Sequence, residues 1–195
     1  SGGAHNALFD ANLTKLVLEK IYKEQNITWR SAMMTGSREE VENFSRNELM
    51  FSLNEYFYGK SKLYLVTPLY HEHMLHPIYK WVQAFDLRFD PEIYFDLTLD
   101  ELKKEMKKTP KFIRTIRSNK APVLLHSDYA SKAEPYSAMT KEPLLKRAKL
   151  IKGNKDFCAR VSLALAEIAQ EKRDTGDQSD ITPEESIYVK FVDNK

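Results

Sequence analysis

The feature that most constrains the fold is a pair of aromatic and β-branched segments separated by a short turn. Leu49–Tyr58 and Lys62–Tyr70 are rich in Phe, Tyr, Leu and Val, and Gly59-Lys60-Ser61 lies between them. Two such runs joined by a short segment that contains glycine are typical of a β-hairpin. The pattern therefore predicts that an antiparallel sheet occupies the centre of the chain.

Three further segments predict additional strands of the same sheet. Ile78–Leu87 alternates around Trp81, and Phe112–Ile116 is a second short apolar run. Ala121–Leu125 contains Pro122, which cannot donate to a central ladder, so we expect this strand at an edge. The pattern predicts about five antiparallel strands that curl into a small barrel.

Helices are predicted on both sides of these strands. Asn6–Gln25 has apolar residues at three- and four-residue spacing, and capping boxes that begin at Ser37 and Thr98 indicate two more helix starts. Two later helices are predicted over Pro143–Lys152 and Lys155–Lys172. The expected fold class is α+β, a small antiparallel barrel with flanking helices.

The cellular context is limited by two simple features. No run of eighteen apolar residues occurs, and the single Cys158 cannot form an internal disulfide, which favours a reducing compartment. Ser1-Gly2-Gly3 has the composition of a cloning remnant rather than of a signal peptide. We therefore expect a cytoplasmic, monomeric protein that does not contact membranes.

The net charge of +2 conceals an uneven distribution. Residues 1–102 carry 10 Lys and Arg against 15 Asp and Glu, residues 103–160 carry 16 against 5, and residues 161–195 carry 4 against 8. A basic centre between acidic flanks favours binding of a polyanion, although basic helices are also commonly solvated surfaces.

The predicted hairpin interleaves aromatic rings with cations. Tyr56, Tyr58, Lys60, Lys62 and Tyr64 surround its turn, and simple alternation would collect the three tyrosines and Lys62 on one face. Stacking rings together with lysines that neutralise a backbone are what single-stranded nucleic acid binding requires. The alternative interpretation is that the alternate aromatic side chains fill the barrel core.

A second basic group follows the predicted fourth strand. Lys111, Arg114, Arg117 and Lys120 recur at three-residue intervals, so they cannot all share one face of an extended strand. Arg117 and Lys120, at the turn, are the candidate phosphate contacts. The sequence also predicts a basic helix nearby, with four lysines: Lys103, Lys104, Lys107 and Lys108.

Two segments that contain histidine have side chains of the types used in catalysis or metal binding. His5 and Asp10 place a proton acceptor and a carboxylate near one helix start, which suits metal-assisted attack of water on a phosphate. The alternative is an exposed histidine and a first-turn aspartate that favours the helix dipole. His71, His73 and His76 match no recognised metal-ligand spacing, and we interpret them as part of a solvated turn.

Taken in order, these segments resemble bacterial exodeoxyribonuclease I, a single-strand-specific exonuclease of the DnaQ-like superfamily. The resemblance covers almost all of the chain after residue 3. It rests on seven collinear segments: Ala4–Asp10, Val66–Leu69, Ala84–Leu87, Asn119–Leu124, Leu145–Asn154, Val161–Gln170 and Ile187–Asp193.

The resemblance implies a division of the chain and roles for its first residues. Residues 4–36 would end an RNase H-like nuclease domain, 37–172 would form an SH3-like domain that binds single-stranded DNA, and 173–195 would lead toward a C-terminal helical domain. His5 would be the general base and Asp10 a ligand of Mg²⁺, with the remaining acidic ligands ahead of this sequence.

The expected function is therefore part of a Mg²⁺-dependent 3′–5′ exodeoxyribonuclease with a role in DNA repair. We expect the 195 residues to bind single-stranded DNA, to be inactive alone and to have a single-stranded-DNA-binding protein as a further partner. The alternative, from another class, is a basic protein–protein interaction domain without a nuclease role.

Overall fold

The computed structural model describes residues 7–25, 36–57 and 59–174. Among these, no helix is long and apolar enough to span a membrane. In chain order the helices and strands are α1 (Ala7–Gln25), α2 (Arg38–Asn47), β1 (Phe51–Phe57), β2 (Lys60–Pro68), β3 (Val82–Asp86), α3 (Glu92–Phe95), α4 (Leu99–Lys107), β4 (Ile113–Ile116), β5 (Val123–Leu125), α5 (Ser127–Ser131), α6 (Lys141–Gly153) and α7 (Lys155–Asp174). Short 3-10 turns occur at His71–His73 and Tyr136–Ala138.

The five strands form one antiparallel sheet in the order β4-β3-β2-β1-β5. The predicted hairpin is confirmed, since β1 and β2 pair from Phe51↔Val66 to Phe57↔Lys60. β5 pairs with β1 and lies at an edge of the sheet, as predicted from Pro122. Among the described residues no pairing joins β4 to β5, so the predicted barrel is instead an open sheet.

The capping boxes that begin α2 and α4 are also as predicted. The hydroxyl groups of Ser37 and Thr98 accept from the backbone N–H groups of Glu40 and Glu101, and both glutamates accept in return. These reciprocal bonds satisfy donors that the first helical turn would otherwise leave unpaired. Both helix starts are therefore determined by four consecutive residues.

One face of the sheet is concave and apolar. Every strand contributes a side chain to one buried cluster on this concave face: Leu53, Val66, Ala84, Ile116 and Leu124. Arg114 on β4 lies 3.6 Å from Glu55 on β1, although two strands separate them. The long side chains of Arg114 and Glu55 thus meet over the two intervening strands on this face of the sheet.

The opposite, convex face is covered by the C-terminal helices. Leu65 and Phe85 pack there in a second cluster with Phe157 and Val161 of α7. Cys158 belongs to this cluster, and burial raises the pKa of its thiol to about 11. The thiol therefore remains protonated and behaves as a small apolar side chain.

Helix α1 has the predicted length but a different environment from the other helices. Leu13, Leu16 and Val17 carry its apolar spacing, and each is at least half exposed. None of the three belongs to either core cluster. The two clusters between the sheet and its helices therefore form without the apolar stripe of α1.

The hydroxyl of Ser52 fastens α5 to the sheet and provides a test of this packing. It is fully buried, donates to the carbonyl of His126 at 2.7 Å and accepts from the backbone N–H of Ala130 at 2.8 Å. Ser52→Ala leaves a buried N–H unpaired and should reduce the free energy of unfolding by about 1–3 kcal/mol.

Ser118→Ala is the matched control for this prediction. The Ser118 hydroxyl is also buried but has no hydrogen-bond partner among the described residues, so its removal should leave stability unchanged or raise it. Urea unfolding of both variants measures the difference. Equal losses in the two variants would contradict the role assigned to Ser52.

Candidate nucleic-acid interface

The hairpin divides its candidate residues between two faces. Two positions separate β1 from β2, and Gly59 there has φ 77°, a left-handed conformation that glycine adopts readily. Because the loop is this short, Tyr56 pairs with Ser61, while Lys62 pairs with Glu55. Tyr56 thus lies on the convex side, and the expectation of a single face shared with Lys62 and Tyr64 is wrong.

The exposure of these side chains also differs. Tyr56 is 74% exposed, and Lys60 and Lys62 are exposed as well. Tyr64 is half-buried on the concave face, with the guanidinium of Arg114 3.6 Å from its ring centroid. Tyr64 therefore already has a stacking partner, whereas Tyr56 presents an open ring.

Arg114 is held in place by a buried carboxylate. Asp86 is fully buried and accepts from the hydroxyl of Tyr136 at 2.5 Å, from Arg88 at 2.9 Å and from Arg114 at 3.2 Å. Burial and the charge of Asp86 raise the pKa of Tyr136, so its hydroxyl stays protonated and donates. We call Asp86 and these three partners the Asp86 cluster.

Glu55 extends this cluster toward the hairpin. Burial raises the pKa of Glu55, and the nearby charge of Asp86 acts in the same direction against the favourable charge of Arg114. Lys62 lies opposite Glu55 across the strands. Glu55 thus places negative charge near Lys62. Lys60, at the start of β2, lies two positions closer to the hairpin tip and therefore farther along the strand from Glu55 and Asp86.

The basic helix predicted at residues 103–108 is largely neutralised. Lys103 lies 2.6 Å from Glu171 and 2.9 Å from Glu167 of α7, and Lys107 lies 3.0 Å from Glu171. Its hydrogen bonds to Glu171 and Glu167 raise the pKa of Lys103. Lys103 and Lys107 therefore join α4 to α7, and Lys108 pairs with Glu105 of its own helix, so three of the four lysines of the predicted basic helix already have carboxylate partners.

Arg117 has aromatic neighbours that the sequence analysis did not assign to the site. Its guanidinium lies 5.1 Å from the ring centroid of Trp81, and Tyr79 stacks on Trp81 at 4.7 Å with an interplanar angle of 20°. The guanidinium of Arg173 lies 6.0 Å from the Tyr79 ring. Lys120 is exposed, and its backbone N–H closes the turn on the carbonyl of Arg117 at 3.0 Å.

The loop that carries these rings is fixed by His76. Its Nδ1 accepts from the backbone N–H groups of Ile78 at 3.1 Å and Tyr79 at 3.2 Å, and its own backbone groups bond to Trp81 and Lys80. Lys80 has φ 58°, a strained conformation for a residue with a side chain. His76 is only 4% exposed, so including it in a solvated turn was wrong.

The candidate catalytic residues are placed only in part. Asp10 lies exposed in the first turn of α1, and the Thr14 hydroxyl donates to its carbonyl at 2.8 Å. His5 and Tyr58 lie outside the described residues, so their roles stay predictions. Within the described ranges no three His, Cys, Asp or Glu side chains could hold a metal ion. These ranges therefore do not supply the ligands that a pair of Mg²⁺ ions requires.

The fold is similar to that of known nucleases. An Exonuclease I from Methylocaldum szegediense matches with 20% identity and a TM-score of 0.59, over 83% of this chain and 37% of that one. E. coli Exonuclease I in complex with a 5cy-dT13 oligonucleotide matches with 15% identity and a TM-score of 0.57, over 84% and 37%. The ExoI/SSB-Ct complex matches with 16% identity and a TM-score of 0.58, over 83% and 37%.

These matches identify the class of fold. The chain has an α+β fold in which one antiparallel sheet is flanked by helices. That fold is the one found in part of exonuclease I, which confirms the resemblance inferred from the sequence. The chain spans about 37% of the length of these nucleases. No protein-family model and no curated protein matches the sequence.

The buried state of His76 predicts a specific pH dependence. Burial, with the charge of Lys80, lowers the pKa of His76 from 6.5 to about 4. The unfolded chain therefore binds more protons between these values, and stability falls as the pH drops through 6.5. From pH 7 to pH 5 this group should cost about 2 kcal/mol.

His76→Asn isolates this contribution. The asparagine side chain retains an acceptor for the loop N–H groups but does not titrate in this range. Unfolding free energies at pH 7 and pH 5 should therefore fall less in the variant than in the original chain. Identical losses would show that His76 is not held neutral.

Proposed function

We propose that this chain binds single-stranded DNA as part of a 3′–5′ exodeoxyribonuclease of the exonuclease I type. The observation that carries the proposal is the hairpin tip, which presents the open ring of Tyr56 on one face of the strands and the exposed Lys60 and Lys62 on the other, on a fold found in exonuclease I. Matched structures of that enzyme are complexes with dT13 and dA16 oligonucleotides. We further propose that the five-stranded sheet belongs to an SH3-like domain.

Physical chemistry supports single strands over duplex DNA as the ligand. Unpaired bases expose their faces and can stack on Tyr56, while the phosphates remain within reach of flexible lysines. Lys60 forms no ion pair with a carboxylate among the described residues, in contrast to Lys103 and Lys107. Its charge is therefore available to a phosphate without the loss of an existing pair.

Binding of an oligothymidylate, followed by fluorescence anisotropy at several salt concentrations, tests this interface. Lys60→Ala should weaken binding and reduce the logarithmic salt slope by about 0.7, the value for one phosphate contact on a single strand. Tyr56→Ala should cost about 1–3 kcal/mol of binding and leave the slope and the melting temperature nearly unchanged, since the ring is exposed.

Lys107→Ala is the matched control because it removes the same charge from a residue already paired with Glu171. It should leave both the affinity and the slope close to those of the original chain. If Lys60→Ala and Lys107→Ala behaved alike, or if the original chain did not bind at low salt, the proposed interface would be wrong.

A second candidate function is the docking of an acidic protein segment, such as one from a single-stranded-DNA-binding protein. A cavity of about 600 Å³ lies at the corner of α6 and α7, and its lining includes Lys149 together with Lys146 and Lys155, which pair with Glu92 and Glu72. One matched structure is the ExoI/SSB-Ct complex. An acidic peptide that competes with oligothymidylate would favour a shared site, and one that binds without competing would favour this cavity.

We propose that the 195 residues lack nuclease activity by themselves. Asp10 is the one carboxylate to which the resemblance assigns metal binding, and its neighbours within the described ranges form no metal cluster. His5 would require a metal-bound water as its proton donor. The chain incubated with Mg²⁺ should therefore not degrade single-stranded DNA above background. A product ladder that disappears with His5→Ala would contradict this expectation.

A further inference from the structure

Arg117 directly follows β4, and the surroundings of its guanidinium differ from those of Arg114 on that strand. Arg114 is engaged by Asp86 and Glu55, whereas Arg117 forms no ion pair among the described residues and lies on the indole of Trp81. The pairing Val82↔Ile116, continued by one residue, places Arg117 directly opposite Trp81. The contact is therefore set by the register of β3 and β4.

Stacking on an aromatic ring affects an arginine in a particular way. The planar guanidinium carries its five N–H donors in the plane, so a ring against its face leaves those donors free. The stacked side chain has also lost much of its rotamer freedom before any ligand arrives. Such an arginine is prepared for bidentate binding of a phosphate.

The loop beneath Trp81 is itself rigidly held. His76 accepts from two backbone N–H groups of the loop, and Arg38 of α2 donates to the carbonyl of Lys80 at 3.1 Å. Tyr79 covers part of the indole at 4.7 Å. Tyr79 and Arg117 therefore already occupy part of the indole surface, so Trp81 does not form an open stacking platform.

We propose that Trp81 is a positioning residue that holds Arg117 as a fixed phosphate ligand for single-stranded DNA, with the loop His76–Trp81 as its support. This inference rests on the proposed function and names a second phosphate contact point outside the hairpin. Lys80 is exposed on the same loop and adds positive charge beside the phosphate. Loss of the support alone should weaken binding about three- to tenfold.

A double-mutant cycle in the full 195-residue chain tests the proposal, with oligothymidylate as the ligand. Trp81→Leu should weaken binding and leave the salt slope unchanged, because the charge of Arg117 remains. Arg117→Ala should weaken binding and reduce the slope by about 0.7. The double variant should bind like Arg117→Ala, since Trp81 acts through Arg117. Independent, additive effects would mean that Trp81 touches the DNA itself and would overturn the proposal.

Two conservative variants keep the test valid if Trp81→Leu does not fold. Trp81→Phe retains an aromatic ring and should bind nearly as well as the original chain. Arg117→Lys keeps the charge but loses the planar stacking group, so affinity should fall about three- to tenfold with the slope retained. An Arg117→Lys variant that binds like the original chain would overturn the proposal.

The outcomes also separate this inference from the proposed function. If the original chain does not bind oligothymidylate, the proposed function fails. If it binds, and Lys60→Ala lowers the slope while the Trp81 and Arg117 effects are additive, the hairpin interface stands and the positioning role alone fails.

Discussion

The buried carboxylate of Asp86 is the interaction on which the rest of the structure depends. A charged group without exposure to water is tolerated only when partners replace its hydration, and Asp86 has Arg88, Arg114 and Tyr136 as those partners. Arg114 thereby joins β3 to β4 and reaches across to Glu55 on β1, so these carboxylates connect three strands of the sheet. Tyr136 connects the same carboxylate to the segment that follows α5.

The same cluster determines which cations remain for a polyanion. The basic centre of the sequence suggests a uniformly positive surface, but two kinds of ion pair divide it. Arg114 is committed to buried carboxylates, and Lys103 and Lys107 join α4 to α7. Lys60 and Arg117 are left without carboxylate partners among the described residues. The charge available for binding is thus smaller than the count of Lys and Arg in the basic segment suggests.

Local features were predictable because a few neighbouring residues determine them. The capping boxes at Ser37 and Thr98 and the hairpin follow from contacts within a short stretch of chain. The edge position of β5 follows from the missing N–H donor of Pro122. The face on which Tyr56 lies was not predictable, because a loop one residue shorter than expected exchanges the faces of every residue on one strand. The glutamates that neutralise α4 lie about sixty positions away, beyond the reach of any local pattern.

Arg114 on β4 and Arg117, which follows that strand, have different surroundings. They are three positions apart, so alternation directs them to opposite faces of the sheet. On one face Arg114 meets Asp86 and Glu55, and its removal would leave Arg88 as the remaining cationic partner of the buried Asp86 carboxylate among the described residues. On the other face Arg117 meets an indole, which orients the guanidinium without neutralising it. Under the proposed function, an arginine placed in this way serves as a ligand for a phosphate.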